Sequence, residues 1–265
     1  MTGRAGVAWG IALCLASCLA SSASAKVQTK ELKYQHDGVE YHGYLAWDDA
    51  IEGPRPGVLV VHEWWGLNDY ARERARQVAQ LGYVALACDM YGEGKTAEHP
   101  KEAGEMATKV RANVEQWRSR ATAALDVLKS QPQCDPKRLA AIGYCFGGST
   151  ALQLAYSGAD LKAVSTFHAA LPAATPAEAK QVHAEILVNH GADDSFIPPA
   201  AIAAFKKELD AAKVPYEFVA YPGARHSFTV KDAGRHGLDG MKYDADADRQ
   251  SWDKMKALLA KQFAK

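Results

Sequence analysis

Cys145 stands within Gly143-Tyr144-Cys145-Phe146-Gly147-Gly148, a G-x-C-x-G pattern that can hold a thiol nucleophile on a sharp turn. The glycines permit that turn, because a β-carbon on either flank would collide with neighbouring backbone. Before it, Arg138-Leu139-Ala140-Ala141-Ile142 is a short apolar run; after it, Ser149 to Tyr156 has helical spacing and good helix formers. A strand, a turn and a helix are expected, the free N–H groups and positive dipole end of the helix favouring the reactive thiolate. A single cysteine is as readily a small core residue, so its partners decide.

A thiol nucleophile needs a base, and the base needs a group that orients it. Asp193 or Asp194 follows the run Glu185 to Asn189, and His226 follows the alternating run Tyr216 to Tyr221. Nucleophile, acid and histidine thus arrive in the chain order of an α/β-hydrolase triad, each beyond a later strand. One more carboxylate, Glu63, follows the unbroken apolar run Val58 to Val61 at the end of a strand, where open α/β sheets bind ligands. Trp64 and Trp65 can wall an apolar pocket there. His62, His168 and His190 also lie near strand ends; they read as packing or supporting residues, and no metal-ligand spacing links them.

The elements that must position these groups alternate along the chain. Residues 26–47 read as an edge hairpin, Gly53 to Gly57 as a turn cluster and Val58 to Val61 as a central parallel strand. A helix capped by Asn68 or Asp69 runs to about Leu81 with Ala71, Ala75, Val78 and Ala79 inward; Tyr83 to Cys88 is a strand. Glu93 to Lys101 is a surface loop, and Glu102 to Ser130 a long helical region stopped at Gln131 to Pro136. Further strands are Ala163 to Phe167, Glu185 to Asn189 and Tyr216 to Tyr221, with helices at Pro198 to Ala212 and Asp244 to Phe263 and a small-residue loop at Pro172 to Pro176. The pattern predicts a single α/β domain, a mostly parallel, doubly wound sheet flanked by helices, with no repeats.

Composition is that of a globular protein, 48% hydrophobic and 23% charged, and the formal net charge of zero gives no electrostatic ground for nucleic acid or an anionic membrane as partner. Residues 1–25 read as a secretory signal: Arg4, an apolar run from Val7 to Ala20, and the small-residue site Ala23-Ser24-Ala25 before Lys26. The globular domain then spans residues 26–265 of an exported, periplasmic or secreted protein. Leu15-Ala16-Ser17-Cys18 also resembles a lipobox, in which case Cys18 would carry a lipid anchor; the cleavage-site reading is preferred. Of the remaining thiols Cys88, Cys134 and Cys145, the odd count speaks against a disulfide framework and for at least one free thiol. No C-x-x-C pair, phosphate-cradling loop or dinucleotide fingerprint is present, so no metal or cofactor is expected.

With these motifs in hand, the sequence resembles the dienelactone hydrolase family, carboxymethylenebutenolidase-like α/β-hydrolases, from about Lys33 to Phe263. The resemblance rests on the cysteine elbow, on Gly191-Ala192-Asp193-Asp194-Ser195-Phe196-Ile197-Pro198, on His226-Ser227-Phe228 and on the Glu63 loop. It implies Cys145 as nucleophile, His226 as base and Asp194 as the acid, since a proline follows Asp194 four residues on. It also implies Glu63 as a carboxylate controlling the thiol, and the backbone N–H groups of Trp64 and Phe146 as an oxyanion hole. Trp65, Tyr91 and Ser227 are the expected substrate contacts. Where the family carries an arginine for a substrate carboxylate, this chain has Glu93 in Asp89-Met90-Tyr91-Gly92-Glu93, which puts the substrate class in question.

The resulting expectation is a monomeric hydrolase of small carboxylic esters or lactones, acting through a thioacyl-enzyme. The competing expectation is a non-catalytic or oxidant-sensing relative that binds a small ligand. A peptidase is disfavoured because no lid or propeller domain is evident.

Overall fold

The computed structural model describes residues 1–3 and 27–264, so the proposed signal segment after Gly3, with its alternative lipidation site at Cys18, lies outside the described residues. Eight strands form one sheet: β1 (Val27–His36), β2 (Val39–Asp48), β3 (Arg55–Val61), β4 (Val84–Cys88), β5 (Cys134–Tyr144), β6 (Ala163–Phe167), β7 (Glu185–Gly191) and β8 (Tyr216–Tyr221). Their spatial order is β1-β2-β4-β3-β5-β6-β7-β8. β1 and β2 make the expected edge hairpin, β2 runs antiparallel to β4, and every pair from β4 across to β8 is parallel. This is the α/β-hydrolase architecture anticipated from the alternation of elements.

Helices α1 (Asp69–Gln80) and α7 (Ala245–Phe263) cover one face, packing on Val58, Val60, Ala85, Ala87, Ala140 and Ile142. Helices α2 (Pro100–Arg111), α3 (Val114–Lys129), α4 (Phe146–Tyr156), α5 (Pro176–Ala179) and α6 (Pro199–Ala212) contribute to the core on the other, against Leu59, Val61, Leu86, Cys88 and Ala141. Alternate residues of each central strand thus serve opposite cores, which is why those strands read as continuous apolar runs.

Several boundaries differ from the expectation for local reasons. The region Glu102 to Ser130 is two helices, because Asn113 leaves the helical conformation and its side chain accepts from the Gln116 N–H to cap α3. Strand β3 begins inside the Gly/Pro cluster: the Arg55 N–H donates to Gln133 O, and the register shifts between Pro56 and Gly57. The short α5 follows a loop and is held by a capping box between Thr175 and Glu178. Of the two candidate caps for α1, Asn68 accepts from the Ala71 N–H. Cys88 and Cys134 are free thiols, both buried in the core beneath α3 and α4. Among the described residues no helix is long and apolar enough to cross a membrane.

Candidate active site

The carboxyl ends of β3, β5, β6, β7 and β8 bring the chemistry-bearing residues together. Cys145 closes β5 and opens α4 with φ 52° and ψ −114°, a conformation that L-residues rarely adopt and that persists only where the surroundings enforce it. The enforcement is close packing. A β-carbon on Gly143 would lie 2.1 Å from Gly147 O, and one on Gly147 would lie 2.2 Å from Val61 O. These two glycines let α4 sit directly against the ends of β5 and β3, and the Cys145 N–H is anchored on Phe167 O at 2.9 Å. The side chain of Cys145 remains partly exposed at the N-terminus of an eleven-residue helix whose dipole favours negative charge there.

His226 lies 32 residues beyond Asp194 in sequence and meets it in space: Nδ1 is 2.8 Å from Asp194 Oδ2, with both side chains nearly inaccessible. Oδ1 of Asp194 accepts the Phe196 N–H at 3.0 Å, which fixes the carboxylate plane. The imidazole also hydrogen-bonds Cys145. Burial works against a charged ring, but the charge of Cys145, the hydrogen bonds from Asp194 and Cys145, and the charge of Asp194 outweigh it, raising the His226 pKa to about 10. The three residues are therefore brought together, and it is Asp194 rather than Asp193 that pairs with His226; Asp193 is exposed and its N–H donates to Ala224 O.

The loop after β3 is held from behind. His62 is fully buried, its Nε2 accepts the Met90 N–H at 3.1 Å and its Nδ1 hydrogen-bonds Glu63 O, so the ring is the Nδ1–H tautomer. Burial pushes its pKa down and keeps it neutral. Tyr91 donates its hydroxyl to Trp64 O at 2.8 Å, so this expected substrate contact also shapes the loop. Among the described residues no backbone carbonyl accepts the N–H of Trp64 or of Phe146, the two donors expected to flank a developing oxyanion.

Glu63 is 2% exposed, and its Oε1 accepts from Ser227 Oγ at 2.8 Å. Burial raises its pKa, against the opposing pull of the Ser227 hydroxyl and the His226 charge. Ser227, expected as a substrate contact, is at φ 53° and fully buried, and its hydroxyl donates to Glu63. Trp65, the other expected substrate contact in this region, is 3% exposed, stacks on His236 at 3.7 Å between ring centroids, and with Glu63, Tyr70, Arg74 and Thr229 lines a cavity of about 680 Å³ that neither Cys145 nor His226 borders. Glu93 sits on the surface in an ion pair with Lys95 at 2.5 Å, so its charge is met locally.

Three residues at the site were not singled out by motif. Phe196 is half exposed and stands edge-on to His226, ring centroids 5.1 Å apart. Arg111, the last residue of α2, places its guanidinium 5.2 Å from the centre of the Phe146 ring. His168, beyond β6, is fully buried at φ 40° and meets the His226 ring edge-on at 5.2 Å. The first two are surface or helix-end positions with no pattern of their own; His168 carried only its place at a strand end. Among the described residues no cluster of three or more His, Cys, Asp or Glu is arranged to hold a metal ion.

The family profile described as Dienelactone hydrolase family matches residues 41–263. Protein usf of Aquifex pyrophilus is 30% identical over 201 residues, covering 74% of this chain and 85% of that protein. A protein named "Putative carboxymethylenebutenolidase" from Synechocystis is 28% identical over 251 residues, 88% of this chain and 96% of that one. Among solved structures, a dienelactone hydrolase-like promiscuous phosphotriesterase from metagenomic libraries superposes with a TM-score of 0.88 at 39% identity, covering 91% of this chain and all of that one.

Proposed function

Since the chain belongs to the dienelactone hydrolase family, we propose that it hydrolyses small carboxylic esters or lactones with Cys145, His226 and Asp194 as its triad. The observation that carries this reading is the single hydrogen-bonded line from Asp194 through His226 to Cys145, with the sulfur held at a positive-φ turn.

In the proposed reaction the Cys145 thiolate adds to the carbonyl carbon, forming a C–S bond. The carbonyl oxygen takes up the negative charge and is met by the N–H groups of Trp64 and Phe146. His226, held protonated by its partners, gives that proton to the departing alkoxide as the C–O bond breaks, leaving a thioester and a neutral imidazole. A water then loses a proton to His226 and adds to the thioester; the C–S bond breaks, the carboxylic acid leaves and the thiolate–imidazolium pair returns. Asp194 holds the imidazole in the orientation both half-reactions need. Burial raises the Glu63 pKa, which weakens the tendency of this neighbouring carboxyl to carry a second negative charge beside the sulfur.

Phe196 and the Phe146–Tyr91 side of the elbow favour an apolar or aromatic substrate, and Arg111 sets its guanidinium against the Phe146 ring on that side. The amino-terminal pattern extends the proposal to export, with the signal removed after Ala25. The test is turnover of short p-nitrophenyl esters, an aryl phosphotriester and a dienelactone by residues 26–265, beside Cys145→Ala. Ester or lactone turnover lost in Cys145→Ala is the expected result. Turnover that survives the substitution, or rapid peroxide oxidation of Cys145 with no turnover on any substrate, overturns it.

A further inference from the structure

We propose that His168 is a positioning residue for Glu63: a buried chain from Arg74 through Tyr70 and Thr229 sets its tautomer so that its Nδ1–H is held ready for the Glu63 carboxylate. Glu63's own role in the reaction is taken from the reading above.

Counting hydrogens along the chain fixes the direction. Arg74 has only donors, and its Nε–H donates to Tyr70 Oη at 3.2 Å. Among the described residues the one other polar partner of Tyr70 Oη is Thr229 Oγ1 at 2.6 Å, so the tyrosine hydrogen goes there. Thr229 Oγ1 then spends its own hydrogen on its remaining partner, His168 Nε2 at 2.8 Å. The chain is anchored at its start, because Arg74 also donates to Thr229 O at 2.9 Å and to Asp248 Oδ1 at 2.6 Å.

An imidazole that accepts at Nε2 and is uncharged carries its hydrogen on Nδ1. His168 is uncharged, since burial, His226 and Arg74 all disfavour its protonation. Its Nδ1 is buried with no hydrogen-bond partner, and Glu63 Oε1 lies 3.9 Å away. An unpaired buried donor is costly, whereas a shift of about 1 Å closes this gap to hydrogen-bond length. Oε1 has room for two donors once ionised, so Ser227 and His168 together favour the carboxylate that burial alone resists. The other charged or titratable groups that face Glu63 are His226, Asp232, Arg74, Tyr70 and Tyr144. None of these places a donor within hydrogen-bond distance of its carboxyl.

The tautomer is read directly from the ¹⁵N shifts of His168 in the intact protein, and Glu63 is followed by the ¹³C shift of its labelled carboxyl, assigned with Glu63→Gln. The Nδ1–H tautomer is expected; the Nε2–H tautomer overturns the proposal. His168→Ala should raise the pH at which Glu63 titrates by about one unit, a tenfold change in proton affinity, and His168→Asn, which keeps a donor near the Nδ1 position, should recover most of it. Tyr70→Phe leaves His168 in place but breaks the chain, and should shift Glu63 in the same direction. A Glu63 titration that stays put in both His168→Ala and Tyr70→Phe overturns the proposal. A titration that shifts in this order while the pH profile of turnover does not follow overturns the role given to Glu63 in the reaction, and leaves that of His168 standing.

Discussion

Ser227 Oγ lies 2.8 Å from Glu63 Oε1, and both residues are buried. The residue next to His226 therefore serves a carboxylate 164 positions earlier in the chain. Ser227→Ala removes the hydrogen bond that most strongly holds the Glu63 pKa down, and leaves a buried oxygen without its donor. A stability loss of about 1–2 kcal/mol is expected in urea unfolding at neutral pH, with Glu63 titrating higher than before. Unchanged stability together with an unchanged Glu63 titration would refute this.

Glu63→Gln should show a pH-dependent gain. Burial raises the folded-state carboxyl above its ordinary 4.5, so above that value the folded protein binds more protons than the unfolded chain and stability falls as pH rises. The amide cannot ionise, so the variant's advantage over the wild type should grow between about pH 5 and about pH 8. Urea curves at the two pH values measure it, and a constant difference would contradict it.

The charge on His226 depends on Cys145. Two of the causes that raise it, a charge and a hydrogen bond, come from that sulfur, while burial opposes them. In Cys145→Ala the imidazole should therefore titrate well below the value of about 10 in the intact site, as read from its NMR shifts. In the wild type, turnover should fall as pH rises through about 10, because the proton given to the leaving alkoxide is then gone. A His226 titration indifferent to Cys145 would break the proposed pair.

Phe196→Ala tests the apolar side of the site. The ring is half exposed beside His226 and supports no core cluster, so stability should change little. KM for a phenyl ester should rise roughly tenfold, the loss of one well-placed aromatic contact of about 1.4 kcal/mol, while KM for an acetate of a small alcohol moves less. Equal effects on both substrates would place the ring outside the binding site.

Gly147→Ala tests the elbow. The added carbon would lie 2.2 Å from a backbone oxygen of β3, which no side-chain rearrangement relieves. A destabilisation of about 3 kcal/mol or more is expected, with loss of iodoacetamide reactivity at Cys145 beyond what partial unfolding explains. Normal stability with a normally reactive thiol would show that the turn tolerates a β-carbon.

Much of this molecule was legible from residue order. Both faces of the central strands are covered, so Val58 to Val61 and Leu139 to Ile142 read as unbroken apolar runs, and their alternation with helical periodicity implied the parallel sheet. The elbow was legible because its glycines answer to backbone contacts that admit no side chain, and the convergence of Cys145, Asp194 and His226 because each sits just past a strand end, a position that pattern alone locates. Boundaries set by single caps, such as Asn113 between α2 and α3, were not, since one polar residue in a helical run breaks it only if its side chain turns back onto the backbone. Tertiary structure alone decided where Ser227, Trp65 and His168 point. Ser227 and Trp65 lie within recognisable motifs, yet their partners Glu63 and His236 come from distant segments. The state of His168 depends on a count of hydrogens over four side chains from α1, the end of β6 and the loop after β8, a sum that exists only once those segments meet in space.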